Sequence, residues 1–401
     1  MFVYLDNSAT TRQFDQVTDE MIRYMRDDYG NPSSLYRMGI TAEKALKAAR
    51  KKVAGSLGVS PDGIIFTSGG TEADNTALYS ACQARRRTGR KIITTQVEHP
   101  AVLETVRKLE SEGFTAVYLP VDENCLIDVD RLEAEIDEDT ILISVMHVNN
   151  ETGAVQPVNR IGRIKDRYNR ENREKNTGII FHTDAVQSYF KIPEAAHLAE
   201  DGEKGAFADM ISVSAHKVHG PKGAGALYVK EGISVKPFIT GGGQEKGMRS
   251  GTENVAAIAG FGRAAEINAE REEQLFTDMT EIKEYLKKGI ITEIKDIKIN
   301  GPESGPSASP SVLNISFAGT RGEVILHTLE EDDIYVSTGS ACSSNKSGDS
   351  HVLKAMGLSY KQIESALRFS FGGFETKEQM DFVIDRLKAA VTRFRKLGSF
   401  R

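Results

Sequence analysis

The sequence predicts an α/β protein whose main sheet is mostly parallel and covered by helices on both faces. Short apolar runs of strand length recur along residues 64–229, and helical apolar spacing separates several of them. Continuous apolar strands are typical of parallel sheets buried on both faces. Ligands of such sheets bind at the carboxyl ends of the strands, so functional residues are sought there. The predicted strands are 64–70, 91–96, 140–148, 178–184, 209–217 and 225–229.

Length and charge narrow the class of protein. With 401 residues the chain is long enough for two or three domains and a large core. The net charge of −6 excludes a global basic field for nucleic acid, and no apolar run reaches the roughly 18 residues of a membrane helix. Three cysteines without a CxxC pair form neither a disulfide framework nor a zinc ribbon. We therefore expect a cytoplasmic protein with no secretory leader, no membrane contact and no direct nucleic-acid partner.

Apolar spacing also predicts several helices and a second region. Residues 41–57 place six apolar side chains on one helical face, and 256–290 form an almost continuous helical pattern. Residues 302–311 are typical of a loop. A smaller α+β region follows, with predicted elements at 314–317, 322–330, 333–339 and 366–371.

Two kinds of polar segment interrupt these elements. The charged stretches 166–176 and 199–205 are expected to be solvated surface loops. Residues 339–350 (GSACSSNKSGDS) are small and polar as well, but this loop carries a cysteine, Cys342.

Lys217 is the first candidate for chemistry because it follows an apolar strand and precedes a Gly/Pro turn. A lysine at a strand end is most often a solvated charge. Here Ser214 and His216 flank it, and their hydroxyl and imidazole groups suit a phosphate. The segment GPKGAG lacks the full GxxxxGK[ST] phosphate loop. A lysine among such donors is a natural partner for a carbonyl cofactor through a Schiff base.

Asp184 ends the apolar run GIIF and is the second candidate. A carboxylate buried there costs free energy unless it meets a cation. The pyridinium nitrogen of pyridoxal 5′-phosphate is such a cation, and an acidic partner keeps it protonated. The structural alternative is an aspartate that caps a helix. Gln187, three residues on, is placed to donate to the phenolic oxygen of the same cofactor.

Three further strand ends carry polar residues. Gly70 and Thr71 open a helix after a strand, where free amides suit an anion, although such turns are only weakly specific. His99 stands directly before Pro100, and we expect it to stack on a flat ring and move protons near neutral pH. The alternative for a lone histidine is a structural donor. Asn150 follows another strand and can turn its amide to a ligand.

Taken in order, these segments resemble the cysteine desulfurases, which belong to the class-V aminotransferase group of fold-type-I pyridoxal-phosphate enzymes. The similarity runs nearly end to end. The cysteine loop resembles the group that serves nitrogen fixation and general iron–sulfur cluster assembly. The matching segments are LDNSATT (5–11), GNPSS (30–34), TSGGTEADN (67–75), EHPAV (98–102), HVNNETG (147–153), TDAVQS (183–188), SAHKVHGPKG (214–223), GGGQEKGMRSGT (241–252), STGSACSS (337–344) and ALRFSFG (366–372).

The resemblance implies a fold-type-I transferase with a seven-stranded-type sheet. It implies a large pyridoxal-phosphate domain at 16–255, and a small domain formed by 1–15 with 256–401 that carries the cysteine loop. It also implies a homodimer in which Thr252 completes the phosphate cradle of the neighbouring subunit. The expected partners are L-cysteine and a sulfur-acceptor protein, such as an iron–sulfur scaffold or a thiolation enzyme.

The resemblance also assigns roles to individual residues. Lys217 would bind the cofactor covalently, Asp184 would pair with the pyridine nitrogen and His99 would stack on the ring. Arg368 would hold the substrate carboxylate in a charge-assisted fork. The remaining assignments are Gln187 to the phenolic oxygen, Gly70, Thr71, Ser214, His216 and Thr252 to the phosphate, and Asn150 to the ring and substrate.

Cys342 matches the nucleophile of the family. A cysteine is often a small buried hydrophobe, which is how Cys82 is interpreted, and Cys125 matches no motif. The resemblance implies that Cys342 takes sulfur from L-cysteine as a persulfide and leaves L-alanine. No resident metal is expected, and Cys342 is a candidate ligand of a transient iron–sulfur cluster shared with a partner.

Alternative functions remain open from the sequence. A selenocysteine lyase can share every cofactor residue, whereas an aminotransferase or another fold-type-I enzyme has no need of Cys342. A sulfur carrier or regulatory protein that has lost turnover is disfavoured by the intact set of candidate residues. A nucleotide-binding module is disfavoured because no Walker A or dinucleotide motif is present.

Overall fold

A computed structural model describes residues 1–174, 177–193, 195, 198–199, 208–339 and 350–398. Within them, a seven-stranded sheet has the order β2-β8-β7-β6-β5-β3-β4, and only β8 runs antiparallel to its neighbours. The predicted mostly parallel sheet is therefore confirmed. The strands are β1 (Val3–Tyr4), β2 (Ile64–Thr67), β3 (Lys91–Thr95), β4 (Thr115–Leu119), β5 (Thr140–Ser144), β6 (Ile180–Asp184), β7 (Met210–Ser214), β8 (Gly225–Val229), β9 (Ile297–Ile299), β10 (Val312–Phe317), β11 (Ile334–Tyr335) and β12 (Ala366–Ser370).

Helices cover both faces of the main sheet. Successive residues of β6 point to opposite faces, so that Ile180 packs with α3 and α4 while Phe181 packs with α2, α6 and α7. The helices are α1 (Asp15–Arg26), α2 (Arg37–Ser56), α3 (Gly70–Arg85), α4 (Pro100–Ser111), α5 (Val129–Ala134), α6 (Val158–Asn172), α7 (Val255–Ala269), α8 (Glu272–Glu293), α9 (Gly322–Glu330), α10 (His351–Ala355), α11 (Tyr360–Glu364) and α12 (Lys377–Lys396).

A second hydrophobic core lies around the antiparallel sheet β12-β10-β9 and the short pair β1-β11. Helices α8, α9 and α12 cover it, and Val3 and Leu5 of the N-terminal segment are buried in it. Phe261 of α7 instead belongs to the core of the main sheet. The N-terminal segment thus packs with the C-terminal half, while the domain boundary at residue 255 stays a prediction.

Two predictions of local structure need correction. The stretch 166–176 is not a loop throughout, because α6 extends to Asn172. Buried Ile161, Ile164 and Lys165 give this helix an inner face, and its charged residues occupy the outer face. The helical pattern at 256–290 is confirmed, but as two helices that break between Ala269 and Glu272.

Other segments agree with the sequence or fall outside the structure. Residues 302–311 contain no helix or extended strand, as predicted. Residues 340–349 of the cysteine loop and most of 199–205 lie outside the described residues. In the part of the chain that the structure covers, no helix is both long and apolar enough to span a bilayer.

Candidate active site

A cavity of about 700 Å³ lies at the carboxyl ends of β6 and β7 and the start of α3. This is where parallel sheets bind ligands, because strand ends and helix starts leave backbone groups unpaired there. The cavity brings together ten of the predicted site residues, which are Gly70, Thr71, His99, Asn150, Asp184, Gln187, Ser214, His216, Lys217 and Arg368.

Asp184 closes β6 and is only 5% exposed. Its Oδ1 accepts the Val186 N–H at 2.9 Å, so one oxygen stabilises the turn that follows the strand. Burial raises the pKa of Asp184 to about 6. One oxygen of Asp184 thus has a structural role. A carboxyl group with a raised pKa in a cavity is also suited to pair with a cation that a ligand brings.

Lys217 follows β7 at the end of a short 3₁₀ turn, Ala215–Lys217. Its Nζ donates to the carbonyl of Ser8 at 2.5 Å and to that of Ala9 at 2.7 Å. The N-terminal segment therefore forms part of the site. Sequence reasoning assigned it no role, because a backbone carbonyl leaves no signal in the residue types.

An anion site lies where α3 begins. The first amides of α3, at Gly70 and Thr71, have no intrahelical acceptor, and the buried Oγ of Ser214 has no hydrogen-bond partner among the residues that the structure describes. A Cβ on Gly70 would lie 2.8 Å from Val186 Cγ2, so only glycine fits between this turn and the cavity wall. An anionic oxygen would satisfy both the free amides and the Ser214 hydroxyl.

His216 completes the same side of the cavity. Its Nδ1 lies 3.2 Å from Thr10 Oγ1, so the second ring nitrogen is the one left for a ligand. Burial, with the charge of Lys217 as a further cause, lowers the pKa of His216 to about 4. The imidazole is accordingly neutral near pH 7 and can donate from one nitrogen only.

His99 is the N-cap of α4, as the following proline predicts. Its Nδ1 accepts the Ala101 N–H at 3.1 Å, so the neutral ring carries its proton on Nε2. Burial, followed by the charges of Lys217 and His351, lowers the pKa of His99 to about 4. Desolvation therefore disfavours the imidazolium in the protein without a ligand, and proton transfer by His99 near neutral pH stays a prediction.

Arg368 lies in the middle of β12 and is 3% exposed. Its Nη2 donates to Asp6 Oδ1 at 2.7 Å and its Nη1 donates to the Asn150 carbonyl at 3.0 Å. Its Nε is buried, and no described residue accepts a hydrogen bond from it. A buried arginine at a cavity is suited to bind a carboxylate, and Asp6 shows that it already binds one.

Asp74 was missed as a cavity residue, although it lies in the quoted segment TSGGTEADN. It is fully buried, its Oδ1 lies 3.6 Å from His182 Nε2, and the described residues give that oxygen no hydrogen-bond partner. Burial and the nearby Asp184 raise its pKa well above the usual range.

The remaining candidates lie elsewhere. Thr252 is exposed and lines a separate groove beside Glu245 and Arg249. Cys342 lies outside the described residues. Cys82 is a buried thiol, as predicted, and so is Cys125, whose pKa burial raises to about 12. Among the residues that the structure describes, no group of three or more His, Cys, Asp or Glu side chains could hold a metal.

Comparisons with known proteins agree with this geometry. A family model for class-V aminotransferases matches residues 3–383. A cysteine desulfurase of Trichormus azollae is 42% identical over 399 residues, which span 100% of this chain and 95% of the relative. A solved NifS-like protein has a TM-score of 0.87 at 38% identity, covering 98% of this chain and 100% of its own. Solved SspA in complex with cysteine has a TM-score of 0.76 at 33% identity, covering 93% and 100%.

The chain belongs to the class-V aminotransferase family. Within that family it groups with the cysteine desulfurases, and its fold is that of the NifS-like structures.

Proposed function

We propose that the protein is a pyridoxal-phosphate-dependent cysteine desulfurase that converts L-cysteine to L-alanine and forms a persulfide on Cys342. One observation carries the proposal. A single cavity unites a lysine, a buried carboxyl group and a buried arginine, which are Lys217, Asp184 and Arg368. The whole-length similarity to a cysteine desulfurase and the cysteine bound to SspA support this substrate.

The residues of the cavity fit pyridoxal phosphate. The unpartnered Ser214 hydroxyl and the free amides at Gly70 and Thr71 suit its phosphate, and the Asp184 carboxyl group suits its pyridine nitrogen. Lys217 Nζ is the amine that would bind its aldehyde carbon. When bound, this cofactor supplies an electron sink for negative charge at the substrate Cα.

Two side chains, Lys217 and His99, would move protons during the reaction. Lys217 Nζ would take the proton from the substrate Cα. Among the described cavity-lining residues, it is the amine that lies at the Ser8 and Ala9 carbonyls. His99 is neutral near pH 7 and its Nδ1 accepts the Ala101 N–H, so its Nε2 carries the proton and donates. Its role is to stack on the ring and hold one proton at that atom.

Arg368 binds the substrate carboxylate. Its Nη2 now pairs with Asp6, and the incoming carboxylate replaces Asp6 on the guanidinium or joins it through the buried Nε. The Asn150 carbonyl keeps Nη1 in place at 3.0 Å, so the guanidinium stays oriented during this exchange. Two parallel N–H···O bonds would then fix the orientation of the substrate.

Sulfur transfer needs no external oxidant. The Cys342 thiolate forms an S–S bond with the substrate sulfur while the C–S bond breaks, and the bonding electrons stay with carbon. Protons from the two thiols complete the methyl group of alanine and the terminal persulfide. The products are L-alanine and a Cys342 persulfide, whose outer sulfur passes to an acceptor protein for iron–sulfur cluster assembly or thio-modification.

The assembly belongs to the same proposal. Thr252 is exposed and does not reach the cavity of its own chain, which supports a homodimer in which Thr252 completes the phosphate site of the partner. The large domain of 16–255 would hold the cofactor, and the small domain of 1–15 with 256–401 would carry the cysteine loop. The enzyme would act in the cytoplasm.

Sulfide and alanine production from L-cysteine with excess reductant test this function. We expect equal amounts of both from the wild-type protein. Cys342→Ala should keep the colour change on adding L-cysteine but release less than about 1% of the sulfide, because only the sulfur acceptor is lost. Cys82→Ala, at a buried thiol away from the cavity, is the matched control and should turn over normally. Normal sulfide release by Cys342→Ala would overturn the proposal.

A further inference from the structure

Lys191 is a buried cation that the proposed reaction does not use. It is 5% exposed and lies in the turn after β6, in contact with the cavity-lining residue Gln187. In the described part of the chain it forms no ion pair, and its Nζ donates to Gln187 Oε1 at 2.7 Å. Burying an unpaired ammonium group is costly, so its place needs an explanation other than stability.

The hydrogen bonds of Gln187 fix the orientation of its amide. An ammonium group can only donate, so the Gln187 oxygen must face Lys191. A backbone carbonyl can only accept, and Gln187 Nε2 donates to the Ser8 carbonyl at 3.0 Å. Both partners therefore select the same amide orientation, in which the NH₂ group lies beside Ser8, another residue that lines the cavity.

The backbone holds Lys191 in this position. Phe190 has a φ of 55°, in the left-handed region that side-chain-bearing residues rarely adopt. The Lys191 N–H then donates to the Ser188 carbonyl at 2.8 Å. This tight turn brings the Lys191 side chain back onto Gln187, four residues earlier.

Within the part of the chain that the structure describes, the charged groups that act on Lys191 are cations. Lys217 and Arg368 are the charged neighbours, and the neutral rings of His216 and His219 also feel its charge. Burial, with these two cations as further causes, lowers the pKa of Lys191 to about 7. If Lys191 were neutral, the Ser8 carbonyl would still hold the Gln187 amide in the same orientation.

We propose that Lys191 is a positioning residue that holds the Gln187 amide with its NH₂ group towards the ring oxygen of bound pyridoxal phosphate. The inference rests on the proposed function for its ligand. An N–H donor stabilises the ionised ring oxygen, whereas a flipped amide would set its oxygen against that anion. The buried ammonium adds positive charge on the same side.

Both effects lower the pKa of the nitrogen that joins Lys217 to the cofactor. The donated hydrogen bond withdraws electron density, and a nearby cation disfavours a second positive charge. Lys191→Met removes the charge and one of the two contacts that orient the donor, so we expect that pKa to rise by about one pH unit. We also expect the cofactor-free variant to bind pyridoxal phosphate about 3- to 10-fold more weakly.

The first measurement is a pH titration of the cofactor absorbance in Lys191→Met and in the wild-type holoenzyme. Lys191→Arg keeps a donor and a charge and should restore a wild-type value. The matched control is Lys283→Met, another buried lysine, whose Nζ donates to the Ser309 carbonyl outside the cavity. It should lower stability without moving the absorbance titration. If Lys191→Met does not fold, Lys191→Gln should show a smaller shift of the same sign.

A double-mutant cycle separates positioning from charge alone. In a Gln187→Ala background, Lys191→Met should move the pKa by less than half as much as in the wild-type protein. Equal shifts in both backgrounds, or no shift with only a lower Tm, would overturn the inference. If wild-type protein fails to bind pyridoxal phosphate, the proposed function fails with it. Binding by wild type without a shift in Lys191→Met refutes the positioning role alone.

Discussion

The two walls of the cavity are built in different ways. The wall from the main sheet places Asp184, Ser214 and Lys217 directly after strands, where the backbone sets each side chain. The opposite wall, from the second core, contributes Arg368 from the middle of β12, with Asp6 beside it. In the first wall the described residues give the buried Ser214 hydroxyl no hydrogen-bond partner, whereas the second wall holds an ion pair.

This difference has an electrostatic consequence. Burial raises the pKa of Asp184 to about 6, against the opposing effects of the Val186 N–H and the Lys217 charge. Arg368 instead forms an ion pair, in which Asp6 Oδ1 lies 2.7 Å from its Nη2. The sheet wall is thus suited to a permanent ligand that supplies the missing charges. The opposite wall is suited to a ligand that comes and goes, since it has a carboxylate of its own to exchange.

The largest expected effect is at the sheet wall. Lys217→Ala removes the amine that binds the cofactor and takes the Cα proton, so we expect kcat to fall by about 10³–10⁴-fold. Alanine production and the loss of covalently bound cofactor on borohydride reduction measure it. Lys222→Ala, on the exposed turn that follows, is the control and should keep full activity. A reducible adduct that persisted in Lys217→Ala would show that another lysine is the attachment site.

A smaller effect is expected at the opposite wall. Arg368→Lys keeps a positive charge but cannot form the two parallel hydrogen bonds of a guanidinium. We expect KM for L-cysteine to rise about 10- to 100-fold with a smaller change in kcat. Steady-state kinetics of alanine release measure both. Arg386→Lys, on the exposed face of α12, is the matched control. A change confined to kcat would mean that Arg368 does not bind the carboxylate.

The sequence predicted the elements whose apolar pattern is strong and missed those whose pattern is mixed. The strand β4 was missed because it is an edge strand in which Leu119 is the one buried residue. The end of α6 was taken for a loop because most of its C-terminal residues are charged. Tertiary packing decides such segments, and local composition does not carry that information.

The residues of the site could also be predicted only in part. Side chains with a distinct chemistry, such as Asp184 and Lys217, could be named because strand ends select them. The contacts that orient them could not, because they join distant parts of the chain. Arg368 pairs with Asp6 across 362 positions, and Lys217 meets the Ser8 carbonyl across 209. The orientation of Gln187 by Lys191 is likewise visible only once the turn after β6 is known.

The smallest predicted effect concerns the support behind the sheet wall. His182 lies two residues before Asp184, is fully buried, and bridges Ser144 of β5 and Ser212 of β7 at 2.9 Å each. Burial lowers its pKa to about 3. Between about pH 3 and 6.5 the unfolded chain binds a proton at this ring that the folded chain does not. Its contribution to stability is therefore present above pH 6.5 and is lost as the pH falls towards 3.

We expect His182→Asn to flatten this acid limb. Because up to one proton per molecule is removed from the difference, the free energy of unfolding should change less steeply by up to about 1.4 kcal/mol per pH unit between pH 4.5 and 6. Urea unfolding across this range measures it. His327→Asn, on an exposed face of α9, should change the free energy of unfolding by no more than about 0.5 kcal/mol at pH 7. An unchanged slope in His182→Asn would mean that His182 is already protonated in the fold. The sheet wall would then be supported by a buried, protonated His182, and its electrostatic difference from the opposite wall would disappear.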